Sequence, residues 1–107
     1  MKTFVVTPRA ARDLAEIWEY LADRNIETAE RTLGIIEKTF HKLAKQPGIG
    51  HFREELADNR HRFFLVYSYF IVYRSAAKPL EVIRVLHAAR DVQGLLGIAS
   101  DDTSSNV

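Results

Sequence analysis

The sequence predicts an α+β fold in which a helical hairpin packs on a small, mainly antiparallel sheet. Two observations lead to this prediction. Two consecutive segments carry apolar residues at helical spacing, and the chain from residue 62 onward is rich in β-branched and aromatic residues. A short apolar run near the N-terminus adds a strand, which gives the order β-α-α-β-β-β. The two helical stripes can both be buried only if the hairpin covers one face of the sheet.

The N-terminal half begins with a strand at Phe4-Val5-Val6 and continues into two helices. Thr7 is a typical N-cap, and Pro8 suits the first helical position, where its missing N–H costs nothing. The first helix is predicted to end near Arg24, and the second to span residues 27–45. The predicted apolar stripes are Leu14, Ile17, Trp18 and Leu21 on the first helix, and Ala29, Leu33, Ile36, Phe40 and Leu43 on the second. The polar face of the first helix is predicted to hold Arg9, Arg12, Asp13, Glu16, Glu19 and Asp23.

The C-terminal half is predicted to be a meander of three strands. Residues 46–50 contain Pro and Gly and should end the second helix, and residues 51–61 are polar and predicted to be a loop. Both faces of the meander carry apolar residues, and a sheet face left uncovered usually meets a partner. The predicted strands are Arg62–Val66, Tyr69–Arg74 and Leu80–His87.

Length and composition indicate one domain. The 107 residues fit a single core, which we place in residues 1–97, and the Ser/Asp/Asn-rich residues 98–107 are predicted to be a disordered tail. The longest apolar run, residues 63–73, is 11 residues, whereas a membrane helix needs about 20. Cysteine is absent and no signal peptide is recognisable, so we expect a cytoplasmic protein that does not associate with a membrane.

The net charge of +1 is unevenly distributed. Residues 61–91 carry five basic and two acidic side chains, whereas residues 1–60 carry ten of each. The basic excess would suit an acidic partner or a nucleic-acid backbone, although a solvated basic face is the plainer interpretation.

Most catalytic and metal-binding motifs are missing from the sequence. His41, His51, His61 and His87 are scattered, without the spacing of a metal site, so neither a metal nor a cofactor is expected. No nucleophile elbow surrounds Ser68 or Ser75, and no glycine-rich phosphate loop is present.

The end of the last predicted strand is the best candidate site. His87 should share a strand face with Glu81, Ile83 and Val85, with Arg84 on the opposite face. Arg90 and Asp91 follow just beyond the strand end. These side chains either pin the chain end by hydrogen bonds and an ion pair, or contact a partner or a phosphate. For RNA cleavage, His87 could be the acid, and the base is missing unless Glu81 or a second histidine serves. The candidate cations are Arg62, Arg74, Arg84 and Arg90.

Taken together, the chain resembles the RelE/ParE superfamily of bacterial toxins, and within it the ParE branch. The likeness covers about residues 4–96, and no single motif is specific on its own. It is carried by Thr7-Pro8-Arg9-Ala10, Asp13 to Trp18, Tyr20-Leu21, Ala29, Pro47 to Gly50, Arg62, Tyr69 to Arg74, and Val82 to Asp91.

The resemblance implies the toxin of a type II toxin–antitoxin module, held in a hetero-oligomer by a ParD-like antitoxin. It also implies that the toxin is not an enzyme but inhibits DNA gyrase, and that contact with DNA is made only through the antitoxin. The residues we assign to partner binding on this basis are Trp18, Arg62, Tyr69, Arg74, Arg84, His87, Arg90 and Asp91.

Two alternatives remain open. The first is a ribosome-dependent mRNA endoribonuclease of the RelE type, with Arg74, Arg84 and His87 as catalytic residues. Against it, the chain has no Tyr after Tyr73, where RelE-type ribonucleases use a C-terminal Tyr or, in some members, a His. The second is a non-toxic module that only binds an antitoxin.

Overall fold

The computed structural model of the protein describes residues 3–52 and 60–91. Two helices are followed by a short 3₁₀ turn and a meander, as the α+β prediction requires. Residues 92–97 of the predicted domain and the predicted tail, residues 98–107, lie outside the described residues. The elements are β1 (Phe4–Val6), α1 (Pro8–Ala22), α2 (Ile26–Lys45), the 3₁₀ turn Pro47–Ile49, β2 (His51–Phe52), β3 (Arg62–Val66), β4 (Tyr69–Arg74) and β5 (Leu80–His87).

The sheet has five strands in the order β1-β5-β4-β3-β2. The meander strands are antiparallel, and β1 lies parallel to β5, so Phe4 pairs with Leu80 and Val6 with Val82. The prediction of a loop from residue 51 was wrong at its start, because His51 and Phe52 pair with β3. A two-residue strand has too few side chains to show a period of two, which is why the pattern missed it.

Both helices begin at side-chain caps. Thr7 Oγ1 accepts a hydrogen bond from the Ala10 N–H at 3.2 Å, and Asn25 Oδ1 accepts one from the Thr28 N–H at 2.9 Å. The Thr7 hydroxyl also donates to the Ile83 carbonyl, at 3.2 Å, so the cap ties the start of α1 to β5. The predicted cap at Thr7 is confirmed, and the helix bounds differ from prediction by one or two residues.

The main core lies between the helices and one sheet face. The predicted stripe of α2 is confirmed, since Ala29, Ile36, Phe40 and Leu43 are buried and Leu33 is partly buried. The core of the helix-covered face is formed by Ala10, Ile17, Ile36, Phe40, Leu43, Val66, Tyr69, Ile71, Tyr73, Leu80, Val82 and Val85.

The predicted stripe of α1 was wrong at two positions. Trp18 is 40% exposed, and Asp13, which we placed on the polar face, is only 5% exposed. The buried line of the helix runs through Ala10 and Ile17. At 100° per residue, Trp18 lies about 80° from Ala10 and Asp13 about 60° on the other side. Asp13 is therefore nearer to the centre of the buried line than Trp18 is.

The other sheet face carries a second apolar cluster, in which Phe63, Val72 and Leu86 are buried. A register shift between β4 and β5 places Ile83 and Val85 of β5 on different faces of the sheet. Val72 pairs with Arg84 and Tyr73 with Val82, so Ile83 is an extra residue in β5. Ile83 belongs to this second cluster and Val85 to the main core, which contradicts our placing them on one face.

Candidate functional site

A groove of about 480 Å³ lies between α1 and the C-terminal end of β5. We call it the α1–β5 groove. Its lining carries three cationic and three anionic side chains, with Ile17, Tyr20, Val85 and Leu86 between them. The charged residues are Arg9, Arg84 and Arg90, and Asp13, Glu16 and Asp91.

An ion pair between buried Asp13 and partly buried Arg84 joins the two walls of the groove. The Arg84 Nε donates to Asp13 Oδ2 at 2.8 Å and its Nη2 to Oδ1 at 3.2 Å, so the pair is bidentate. The same Oδ2 accepts the backbone N–H of Val85 at 3.0 Å. Both oxygens of this carboxylate are therefore engaged. This ion pair joins α1 to β5 just beyond Val82, which is the last β5 residue that pairs with β1.

The outer edge of β5 is held by carboxylates where β1 ends. β1 pairs with β5 only as far as Val82, so the later N–H groups on that edge have no partner in β1. Asp13 accepts the N–H of Val85, and Asp91 accepts that of His87 at 2.8 Å. Asp91 is thus a structural residue of this edge, as the first of our two interpretations of the strand end proposed.

His87, Arg90 and two tyrosines form a cluster at the end of the groove. His87 Nδ1 accepts the backbone N–H of Arg90 at 3.0 Å, which leaves the proton of a neutral imidazole on Nε2. The His87 ring meets Tyr69 edge-on, at 5.4 Å between centroids, and the Arg90 guanidinium lies 4.6 Å from the Tyr20 ring centroid. Burial raises the pKa of Tyr69 above its ordinary value of 10.0, and the nearby charge of Arg90 partly opposes the shift.

Arg62 lies outside the groove and contacts the turn that follows α2. Its Nη1 donates to the Gly50 carbonyl at 2.9 Å and its Nε to Ser75 Oγ at 3.0 Å. Buried Tyr73 accepts the Gly50 N–H at 2.9 Å and donates to the Pro47 carbonyl at 2.7 Å. Burial also raises the pKa of the Tyr73 phenol. Arg62 thus braces a turn and is not part of the groove.

The predicted site residues therefore divide into two groups. Arg84, Arg90 and Asp91 line the groove, with Tyr69 and His87 at its end, whereas Arg62, Arg74 and Trp18 do not line it. Arg74 lies 3.6 Å from Glu81, and its Nε is buried without a hydrogen-bond partner.

The described residues contain no group of three His, Cys, Asp or Glu side chains that could hold a metal ion. Neither α1 nor α2 is long and apolar enough to cross a membrane.

A protein-family model described as "ParE toxin of type II toxin-antitoxin system, parDE" matches residues 4–92. This match extends from β1 to the end of the groove at Asp91, and it covers most of the chain. The chain belongs to the ParE toxin family. Our assignment of the sequence to the ParE branch is confirmed.

Curated relatives agree with membership of the ParE family. The chain is 32% identical over 98 residues to Toxin ParE1 of Caulobacter vibrioides, with 91% of this chain and all of the relative covered. It is 30% identical to Toxin ParE1 of Mycobacterium tuberculosis, over 83% of this chain and 92% of the relative. Toxin RelE3 of Caulobacter vibrioides is 25% identical, over 82% of this chain and 96% of that toxin.

Within this ParE-family chain, sequence reasoning missed four charged or aromatic residues of the groove, namely Arg9, Asp13, Glu16 and Tyr20. Asp13 could have been found, because Ala10, Asp13 and Ile17 follow the i, i+3, i+7 spacing of one helix face. An acidic residue on such a face needs a buried partner. Arg9 and Tyr20 gave no such signal, since they meet β5 only through the tertiary fold.

Proposed function

We propose that this chain is a toxin that acts by binding, is held inactive by a ParD-like antitoxin and inhibits DNA gyrase. Membership of the ParE toxin family supports the proposal that the chain is a toxin with an antitoxin partner. We favour binding over catalysis because two of the arginines that a ribonuclease would need lie beside carboxylates. Arg84 is neutralised by Asp13, and Arg74 lies beside Glu81.

A ribonuclease site needs cations that are available to a scissile phosphate. Both oxygens of Asp13 are already bound to β5, so Arg84 could turn to a phosphate only by leaving a buried carboxylate without its partner. The arrangement favours a rigid recognition surface.

We propose the α1–β5 groove as the antitoxin site. Among the residues described, Arg9 and Glu16 line the groove without an ion-pair partner. The Arg90 guanidinium lies over the Tyr20 ring, also without an ion-pair partner, while the Arg90 backbone N–H donates to His87 Nδ1. These free charges would form ion pairs with side chains of a bound antitoxin segment. Acidic residues of the antitoxin would pair with Arg9 and Arg90. Such pairing fixes the register of a partner and excludes wrong ones.

The deciding experiment is production of the chain without antitoxin in a bacterial host, together with a supercoiling assay on purified gyrase. We expect growth arrest, induction of a DNA-damage reporter, intact mRNA and inhibited supercoiling. Arrest with cut mRNA and unaffected gyrase would contradict the proposal. Soluble protein that arrests nothing would leave only the antitoxin-binding module.

An endoribonuclease of the RelE type remains the second candidate because of His87. Its Nε2 has no partner among the described contacts. As an imidazolium, which would require Nδ1 to give up the hydrogen bond from the Arg90 N–H, it could donate a proton from Nε2 to a leaving group. If this function holds, His87→Ala should abolish mRNA cleavage while leaving the fold intact, whereas gyrase inhibition should not depend on the imidazole proton.

A further inference from the structure

The turn between β3 and β4 holds a large aromatic residue in a conformation that suits glycine. Tyr67 has φ 54°, the only positive φ among the described non-glycine residues. Bulky residues rarely adopt this region, because Cβ crowds the backbone. The Tyr67 side chain is also 60% exposed, so no core packing accounts for the choice. A strained residue that gains nothing inside the fold is a candidate for an outside contact.

The turn and the end of β3, which we call the β3–β4 tip and which is formed by Tyr67 and Leu65, carry no charged side chain. Leu65, two residues before Tyr67, is 54% exposed, and it alternates with Phe64 and Val66, which pack on the helix side. Residues 63–73 contain no charged side chain at all. A contact with a phosphate backbone would need cations there. The chemistry of the tip therefore fits an apolar protein surface, where tyrosine is a common anchor.

The tip is also rigidly placed. The Ala88 N–H donates to the Ser68 carbonyl at 2.7 Å, so the turn is fixed to the chain that follows β5. A fixed, projecting ring needs a preformed pocket on its partner. A partner that binds as an extended segment offers no such pocket and needs a groove in which to lie. The shape thus distinguishes the tip from the α1–β5 groove.

We propose that the β3–β4 tip, formed by Tyr67 and Leu65, is the contact that this toxin inserts into an apolar pocket of its folded protein target. The inference rests on the proposed function in one respect, namely that the chain acts by binding a protein. It assigns target recognition to the tip and antitoxin recognition to the groove.

The test compares Tyr67→Asn with Tyr67→Phe and with a matched control, Ile26→Asn. Asn tolerates positive φ, and Ile26 is a similarly exposed apolar residue, 58% exposed, at the start of α2. Each variant is assayed for its melting temperature, for antitoxin binding and for the inducer dose that arrests growth. The unmodified chain is assayed in parallel on purified gyrase.

We expect Tyr67→Asn to melt at the same or a higher temperature and to bind antitoxin within twofold of the unmodified chain. The dose needed for arrest should rise at least tenfold, while Tyr67→Phe and Ile26→Asn stay near the unmodified dose. Full toxicity of Tyr67→Asn, or an equal loss of antitoxin binding, would overturn the proposal. If the unmodified chain arrests growth but spares gyrase, the proposed target is wrong, and the dose comparison still decides the role of the tip. If the unmodified chain arrests nothing, the tip has no target and the proposal falls.

Discussion

Asp13 shows how one buried carboxylate can organise a surface. It accepts two hydrogen bonds from Arg84 and one from the Val85 backbone, and so couples α1 to the edge of β5. A buried charge without its partners is costly, and buried partners stabilise each other only as a complete set. The position of α1 against β5, and with it the shape of the groove, therefore depends on Asp13 whether or not a bound partner contacts that residue.

We expect Asp13→Ala to lower the free energy of unfolding by about 3–5 kcal/mol, because it leaves Arg84 and the Val85 N–H unpaired. Urea denaturation measures the change. Asp23→Ala, at the exposed end of α1, is the control and should stay within about 0.5 kcal/mol. The double variant Asp13→Ala/Arg84→Ala should cost less than the sum of the two single changes. Strict additivity would mean that the ion pair contributes nothing.

The Tyr73 phenol permits a test by pH. Its folded-state pKa is raised above the ordinary value of 10.0, so the unfolded chain loses this proton at a lower pH than the folded chain. The unfolded state then binds fewer protons, and stability must fall as pH rises above about 10. Tyr73→Phe should cost about 1–3 kcal/mol at neutral pH, because it leaves the Gly50 N–H and the Pro47 carbonyl unpaired.

Stability measured at several pH values up to 11 should fall less steeply for Tyr73→Phe than for the unmodified chain. Part of the fall should remain, because the pKa of Tyr69 is raised as well. Tyr67→Phe makes the same substitution at an exposed position and serves as the matched control. Identical slopes for Tyr73→Phe and the unmodified chain would contradict the assignment.

Among the elements, the 3₁₀ turn after α2 has the tightest steric requirement. A Cβ on Gly50 would lie 2.5 Å from the Tyr73 hydroxyl oxygen, whereas a Cβ on Gly48 would meet nothing within 4 Å. Gly50→Ala should therefore lower stability by about 1–3 kcal/mol through overpacking. Gly48→Ala, two residues away in the same turn, should be near neutral. Equal melting temperatures for the two variants would show that Tyr73 can move aside.

For the molecule as a whole, antitoxin binding should appear as added stability. A partner present at 100 times its Kd raises the free energy of unfolding by about 2.7 kcal/mol. The variant Arg9→Glu/Arg90→Glu should lose most of this gain, because it reverses the free cations of the groove. Thermal melts with and without the antitoxin measure the effect. Arg31→Glu, exposed on α2, should keep the full gain, and a gain retained by the groove variant would move the antitoxin elsewhere.

Sequence reasoning reached the elements better than the contacts between them. The Thr7 cap, the α2 stripe and strands β3 to β5 follow from local periodicity and turn chemistry, which the sequence carries directly. Asp13 is buried and Trp18 is exposed, the reverse of the prediction. Residues at the border of an apolar helix stripe cannot be assigned from spacing alone, because the direction of the buried face depends on what packs against the helix. Ile83 and Val85 lie in different clusters because of a one-residue register shift in β5, which no pattern of side-chain types announces.

The carboxylates on the edge of β5 have one further consequence. A strand edge with unpaired N–H groups is a template for another chain, and uncovered edges drive proteins to join side by side into aggregates. Asp13 and Asp91 occupy the N–H groups of Val85 and His87 with acceptors that cannot propagate a sheet. The chain can therefore stay a separate molecule in the interval when no antitoxin covers it, which is the interval in which a toxin must act.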